Sequence, residues 1–203
     1  MHIRNETPRD YAAVENVTRE AFWNVYRPGC LEHYIVHVLR TDPAFVPELD
    51  LVLEDGGQLI GHILYMRAGI VCDNAQTLPV MTFGPVSILP AYQRRGLGTL
   101  LIEESMRRAR RLGAGALCIE GNPGFYGRLG FVPAGVHGVR WHGAPPDEIV
   151  PYFLIRELEP GFLHGIAGVY HTPAGYDVSQ ADAERFDQNF PPKQKRVLPG
   201  QLF

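Results

Sequence analysis

The stretch Pro85-Val86-Ser87-Ile88-Leu89-Pro90-Ala91-Tyr92-Gln93-Arg94-Arg95-Gly96-Leu97-Gly98-Thr99 decides the fold. An apolar β-type run ends at Pro90, and a turn punctuated by Gly96 and Gly98 opens a long amphipathic helix. The first amides of a helix have no acceptor one turn back, and the macrodipole adds partial positive charge to them. A turn that aims the N–H groups of Arg95, Gly96, Gly98 and Thr99 at one point is therefore an anion cradle, and its glycines let a ligand approach the backbone.

Spacing separates the phosphate-binding readings of such a turn. Leu101 stands where a dinucleotide-binding G-x-G-x-x-G carries its third glycine, and no Gly-Lys-Ser/Thr follows as a P-loop requires. What remains is Gln93-x-x-Gly96-x-Gly98 after a strand. Downstream lies Gly121-Asn122-Pro123-Gly124-Phe125-Tyr126-Gly127-Arg128-Leu129-Gly130-Phe131, with a tyrosine shortly before a Gly-Phe pair. In this order the two motifs resemble the GCN5-related N-acetyltransferase (GNAT) superfamily. The second resembles a bacterial subgroup, largely uncharacterised as to substrate, with Gly-Asp/Asn-Pro before Tyr-Gly-Arg-Phe-Gly-Phe. The resemblance implies an α/β fold, a mixed central sheet flanked by helices with a splay between two parallel strands. It also implies acetyl-CoA as cosubstrate, with no metal. Val86, Ser87 and Ile88 would then bind the pantetheine arm and thioester. The stretch Gln93, Arg94, Arg95, Gly96, Leu97, Gly98 and Thr99 would hold the pyrophosphate, with Asn122 joining the cofactor-binding set.

With 203 residues, 45% hydrophobic and 20% charged, the chain suits one domain with an appendage. A GNAT domain over residues 1–158 and a C-terminal extension over 159–203, peripheral or flexible, is the expected division. A net charge of −3 gives no global pull toward nucleic acid or an anionic membrane. The N-terminus lacks the apolar core of a signal peptide and no run is long enough to span a bilayer, so a cytoplasmic protein is expected. Cys30, Cys72 and Cys118 are odd in number and widely spaced, which reads as reduced, mostly buried thiols.

Along the chain, Ile3-Arg4 begins a strand, and Thr7-Pro8 reads as the N-cap and first position of a helix ending before Pro28-Gly29. Leu31 to Leu39 forms a second amphipathic face, with His33 and His37 on its solvated side. Leu51–Glu54, the turn Asp55-Gly56-Gly57 and Gln58–Val71 read as a hairpin. Val80–Leu89 reads as a buried strand interrupted at Gly84-Pro85, where proline cannot donate to a ladder. The helix after Gly96 carries Leu97, Leu100, Leu101, Ala109 and Leu112 toward the sheet. Ala116–Glu120 should run parallel to Val80–Leu89, Tyr152–Leu158 is another strand, and Ser179 with Asp182 caps a short helix to Phe190.

Acyl transfer from a thioester to an amine needs a cofactor cradle, an oxyanion donor, a base and an acid for the departing thiolate. Tyr126 is the candidate acid and Glu120, at a strand end, the candidate base, with His62 second; each also fits a packing or ion-pair role. Trp23 and Tyr26, before Pro28-Gly29, suit an acceptor-binding lid using cation–π contact, or plain packing. The reading is N-acetylation of a primary amine on a small molecule or peptide, with no nucleic-acid or membrane partner and a homodimer as one option for assembly. The alternative is a catalytically silent acyl-CoA-binding module.

Overall fold

The computed structural model describes residues 1–145 and 148–202. Pro146, Asp147 and Phe203 lie outside the described residues. The elements in order are β1 (His2–Asn5), α1 (Tyr11–Phe22), α2 (Glu32–Leu39), β2 (Leu51–Asp55), β3 (Gln58–Cys72), β4 (Thr77–Ile88), α3 (Leu97–Arg111), β5 (Ala116–Glu120), α4 (Pro123–Tyr126), β6 (Val132–Pro133), β7 (Val139–Trp141), β8 (Phe153–Glu157), β9 (Gly168–His171) and α5 (Gln180–Asp187). They form a mixed sheet flanked by helices, with β4 and β5 parallel neighbours in it. The chain divides into two compact units, Met1–Leu64 with Pro85–Ile102 and Ala174–Phe203, and Tyr65–Gly84 with Glu103–Pro173. Strand β4 passes from one to the other between Gly84, at φ +132°, and Pro85, the pair the sequence marks as an interruption.

In the first unit β1, β2 and β3 are antiparallel, with Ile3 opposite Leu53 and Leu51 opposite Ile63. The hairpin turn places Gly56 at φ +55° and Gly57 at φ +84°, the two positive values that a tight two-residue loop demands. Helices α1 and α2 pack on one another. Helix α1 begins at Tyr11 rather than Pro8: Asp10, drawn into a bidentate pair with Arg4, accepts both the Thr7 N–H and its hydroxyl, so Thr7 does not cap. Within this unit α5 is capped as expected, Ser179 Oγ accepting the Asp182 N–H at 3.0 Å, but it ends at Asp187.

In the second unit Met81 of β4 pairs with Leu117 of β5 in parallel, and Cys118 pairs on the other side with Ile155 of β8. Strand β6 extends β8, β9 lies on the end of β3 with Tyr170 opposite Ile70, and β7 runs parallel to β9. Ile70, Val80, Ala116, Cys118, Phe153, Ile155 and Tyr170 build the core here.

Helix α3 buries Leu97, Leu101, Ile102, Met106 and Ala109, whereas Leu100 and Leu112 are about half exposed. At 100° per residue Leu100 falls outside the arc these five define, and Leu112 lies past the last turn, so two of the expected core leucines face solvent. Cys30 and Cys118 are buried and Cys72 half-buried, all three as free thiols.

Candidate active site

The anion turn lies in the first unit. Leu89 N–H donates to Ile60 C=O at 2.8 Å, a short 3-10 turn follows over Pro90–Tyr92, and Arg94 at φ +60° and Gly96 at φ +79° bring the chain round into α3. The first helical bond recorded runs from Leu100 N–H to Gly96 C=O at 3.0 Å. The amides of Leu97, Gly98 and Thr99 thus precede any carbonyl one turn back. Gly96 has no side chain to cap them and the first turn holds no acid, so neither competes with an incoming anion. Arg94 and Arg95 are exposed beside it, and the Arg95 guanidinium lies 5.5 Å from the Tyr92 ring.

The strand leading into the turn is held from beneath and behind. A Cβ on Gly61 would come within 2.6 Å of Ile88 Cδ1 and 3.0 Å of Ser87 C=O, so only glycine lets β3 approach here. Buried Ser87 donates its hydroxyl to Thr18 of α1 at 2.9 Å, and the Gln93 amide donates to Ile88 C=O at 2.9 Å. The side chains of Ser87 and Gln93 therefore fix the turn, and what these residues can offer a cofactor is chiefly main chain. Val86 is half-buried and Ile88 buried.

Tyr126, Glu120 and Asn122 lie in the second unit. Asn122 Oδ1 accepts the Gly124 N–H at 2.8 Å and caps α4, placing its acceptor in the fold rather than toward a ligand. Tyr126, half-buried, rests on Gly121, where a Cβ would lie 2.4 Å from its ring, and packs edge-on against Phe125 and Phe131. Gly130 at φ +79° ends the turn that follows. Exposed Glu120 ends β5, and its Oε1 accepts the Thr172 hydroxyl at 2.9 Å, a partner that lies 52 residues downstream and that no local motif announces.

Trp23 and Tyr26 sit in the first unit under the C-terminal segment. The Trp23 indole N–H donates to Gln194 C=O at 3.1 Å, and its ring already has the Arg19 guanidinium 4.3 Å from its centroid. Asn24, at φ +61°, bonds Gly29, Gln194 and Arg196, and Leu202 N–H donates to Tyr26 C=O. Residues 187–202 are thus pinned to the α1–α2 connection, not loose. Beneath them Arg19, 1% exposed, pairs with Asp187 at 2.5 Å and donates to Pro191 C=O at 3.0 Å.

This segment also corrects the reading of His33. It is fully buried, with Nδ1 3.3 Å from Cys30 Sγ, Nε2 3.2 Å from Asp187 Oδ1, and the Phe186 and Phe190 rings against it. The covering residues are some 150 positions away, out of reach of helical periodicity. Burial outweighs the Asp187 charge and holds His33 down at about 4, while burial drives the Cys30 thiol well above its ordinary range. His37, about half exposed, lies 2.9 Å from Glu15.

His62, the second candidate base, is a core residue. It is fully buried, its Nε2 lies 2.8 Å from Asp50 Oδ1, and burial lowers it to about 4. Burial first, and the Asp50 carboxyl second, push Glu6 up to about 8. Ligand atoms of Glu6, Asp50 and His62 lie within 4.8 Å of one another, but Arg40 donates to both Glu6 oxygens and so supplies the cation of this cluster.

Fold and turn together define an α/β protein that presents an open, carboxylate-free helix entrance directly after a parallel strand. Residues 48–133 match the model of the acetyltransferase (GNAT) domain. A GNAT family acetyltransferase from Brucella melitensis, solved in complex with acetyl-CoA, is 31% identical, with a TM-score of 0.68 over 87% of this chain and 97% of that one. The GNAT family N-acetyltransferase YhbS from Escherichia coli, in complex with CoA, is 25% identical, with a TM-score of 0.74 over 87% and 92%. The uncharacterized N-acetyltransferase YjhQ of Escherichia coli K12 is 29% identical over 128 residues, 61% of this chain and 68% of that protein. The chain belongs to the GNAT acetyltransferase family. Among the described residues no helix is long and apolar enough to cross a membrane.

Proposed function

We propose that this protein transfers the acetyl group of acetyl-CoA to a primary amine, on a small molecule or a peptide, in the cytoplasm. The observation that carries the reading is the entrance of α3, where a glycine precedes three leading amides and the first turn holds no acid. These amides would hold the pyrophosphate, with Arg94 and Arg95 adding charge and Gly96 and Gly98 allowing close approach. The relatives solved with CoA and acetyl-CoA support this assignment. Main-chain groups of Val86, Ser87 and Ile88 would align the pantetheine arm and polarise the thioester carbonyl.

When bound, acetyl-CoA supplies the activated acyl group. The chain's own residues then have two proton tasks. Glu120 takes the proton of the incoming ammonium, directly or through water, and Tyr126 gives one to the departing thiolate. Trp23, already oriented by Arg19 and Gln194, and Tyr26 would border the acceptor.

The test pairs calorimetry of CoA binding with thiol release across an amine panel. Gly98→Val puts a branched side chain in the first turn of α3 and should abolish CoA binding while the far-ultraviolet spectrum stays unchanged. Unaltered CoA affinity in that variant would refute the cradle. Tight binding of acetyl-CoA without accelerated thiol release by any amine would favour a silent binding module.

A further inference from the structure

Glu120 does not stand alone at the end of β5. Thr172, just past β9, donates its hydroxyl to Glu120 Oε1 at 2.9 Å, and the same Oγ1 receives the indole N–H of Trp141, the last residue of β7, at 3.4 Å. An indole nitrogen can only donate, so Thr172 Oγ1 is an acceptor on that side and its own hydrogen is directed at the carboxylate. Trp141 is itself fixed: its ring covers Gly143, where a Cβ would clash at 2.3 Å, and meets Tyr152 edge-on. Donor order runs one way, from Trp141 to Thr172 to Glu120.

We infer that Thr172, set by Trp141, is a positioning residue for Glu120: it binds one carboxylate oxygen in its charged form and leaves the other directed at the acceptor amine. This rests on the reading of Glu120 as the base. A carboxylate on an exposed strand end otherwise samples several rotamers. One charge-assisted bond from a pre-oriented hydroxyl removes that freedom. Other titratable groups near it are Tyr170 of β9 and Tyr126, whose ring covers the next residue, Gly121. His171 and His142, stacked at 5.1 Å, flank Thr172 and Trp141 in the chain.

Losing the hydroxyl should free the carboxylate to turn away from the amine. For Thr172→Val kcat should fall roughly three- to tenfold with the KM for acetyl-CoA unchanged. Thr172→Ser should restore the parent kcat, and Trp141→Phe, which keeps a ring but loses the N–H, should lower kcat by less. The histidine pair is the same in Thr172→Ser, so rescue assigns the loss to the hydroxyl. If Glu120→Gln lowers kcat but Thr172→Val leaves it within about twofold of the parent, positioning by Thr172 is wrong while the base reading stands. If Glu120→Gln leaves kcat unchanged, both fall together. Should Thr172→Val lose CoA binding or its folded spectrum, the Ser and Phe variants decide: a parent-like kcat in Trp141→Phe overturns the proposal.

Discussion

Removing the Asp187 carboxylate should unfold far more than the end of a short helix. Arg19 is among the largest fully buried side chains, and its guanidinium is held by Asp187 Oδ1 at 2.5 Å, Oδ2 at 3.2 Å and Pro191 C=O at 3.0 Å. Asp187→Ala deletes two of the three acceptors and strands a permanent charge that 1% exposure cannot hydrate. Breaking one partner out of a buried ion pair costs about 3–5 kcal/mol. That is a large share of the roughly 5–15 kcal/mol by which domains are stable. For a chain of this size each kcal/mol moves the midpoint by about 2–4 °C, so a fall of roughly 6–20 °C is expected. Asp187→Asn keeps an oxygen for Arg19 and should lose distinctly less. Urea titration followed by far-ultraviolet circular dichroism gives the free energies, and Trp23 fluorescence tells whether the Gln194 contact goes with them. An Asp187→Ala cost below about 1 kcal/mol would show that Arg19 finds water or another partner, and the docked C-terminal segment would not be integral to the first unit.

Tyr126→Phe should lower kcat by roughly a hundredfold with little change in the KM for acetyl-CoA, as for loss of a positioned acid; a kcat within about twofold of the parent would leave the ring to packing against Phe125 and Phe131. His33 and His62 have folded values of about 4, below their ordinary 6.5, so the unfolded chain takes up protons first as pH falls. Their contribution is complete above 6.5 and is lost toward pH 4, whereas Glu6, raised to about 8, contributes below 4.5 and loses its share as pH climbs through 8. Urea midpoints should therefore drop between pH 6.5 and 4, and His33→Gln should show a shallower drop over that window; an equal slope would mean that His33 is not held neutral.

Local chemistry made the core of this fold readable. A Gly-Gly pair between alternating runs can hardly be anything but a tight hairpin loop, and the observed positive φ at Gly56 and Gly57 follows from the residues alone. Ala116–Glu120 was legible to the residue, because a run of four apolar residues closed by Glu120, between a helix-ending glycine and Gly121, has one structural use. The turn from Pro90 to Thr99 was equally plain. Its glycine spacing argues against the dinucleotide and P-loop alternatives, and the helix that opens after Gly96 is found as read. What Gln93 and Ser87 do there was not legible, since their partners, the Ile88 carbonyl and the Thr18 hydroxyl, depend on tertiary approach.

Where a residue's surroundings were not legible one physical cause recurs, that a periodicity argument sees a helix's own faces but not what later chain lays over them. His33 lies on a polar-looking side of α2, and with only residues 31–39 in view that side belongs to solvent. Phe186, Asp187 and Phe190 convert it to interior. Trp23 suits an acceptor-binding lid or plain packing on its sequence alone, and the Arg19 guanidinium over its ring and the Gln194 carbonyl at its N–H come into view only in the fold. A buried arginine needs an acid, α1 itself brings none to it, and the acid arrives from α5. The same logic reaches Glu120, whose hydroxyl partner comes from beyond β9. In each case a charged or aromatic residue without a local partner was the signal that a distant segment must supply one, and it would have pointed to the C-terminal residues as part of the fold.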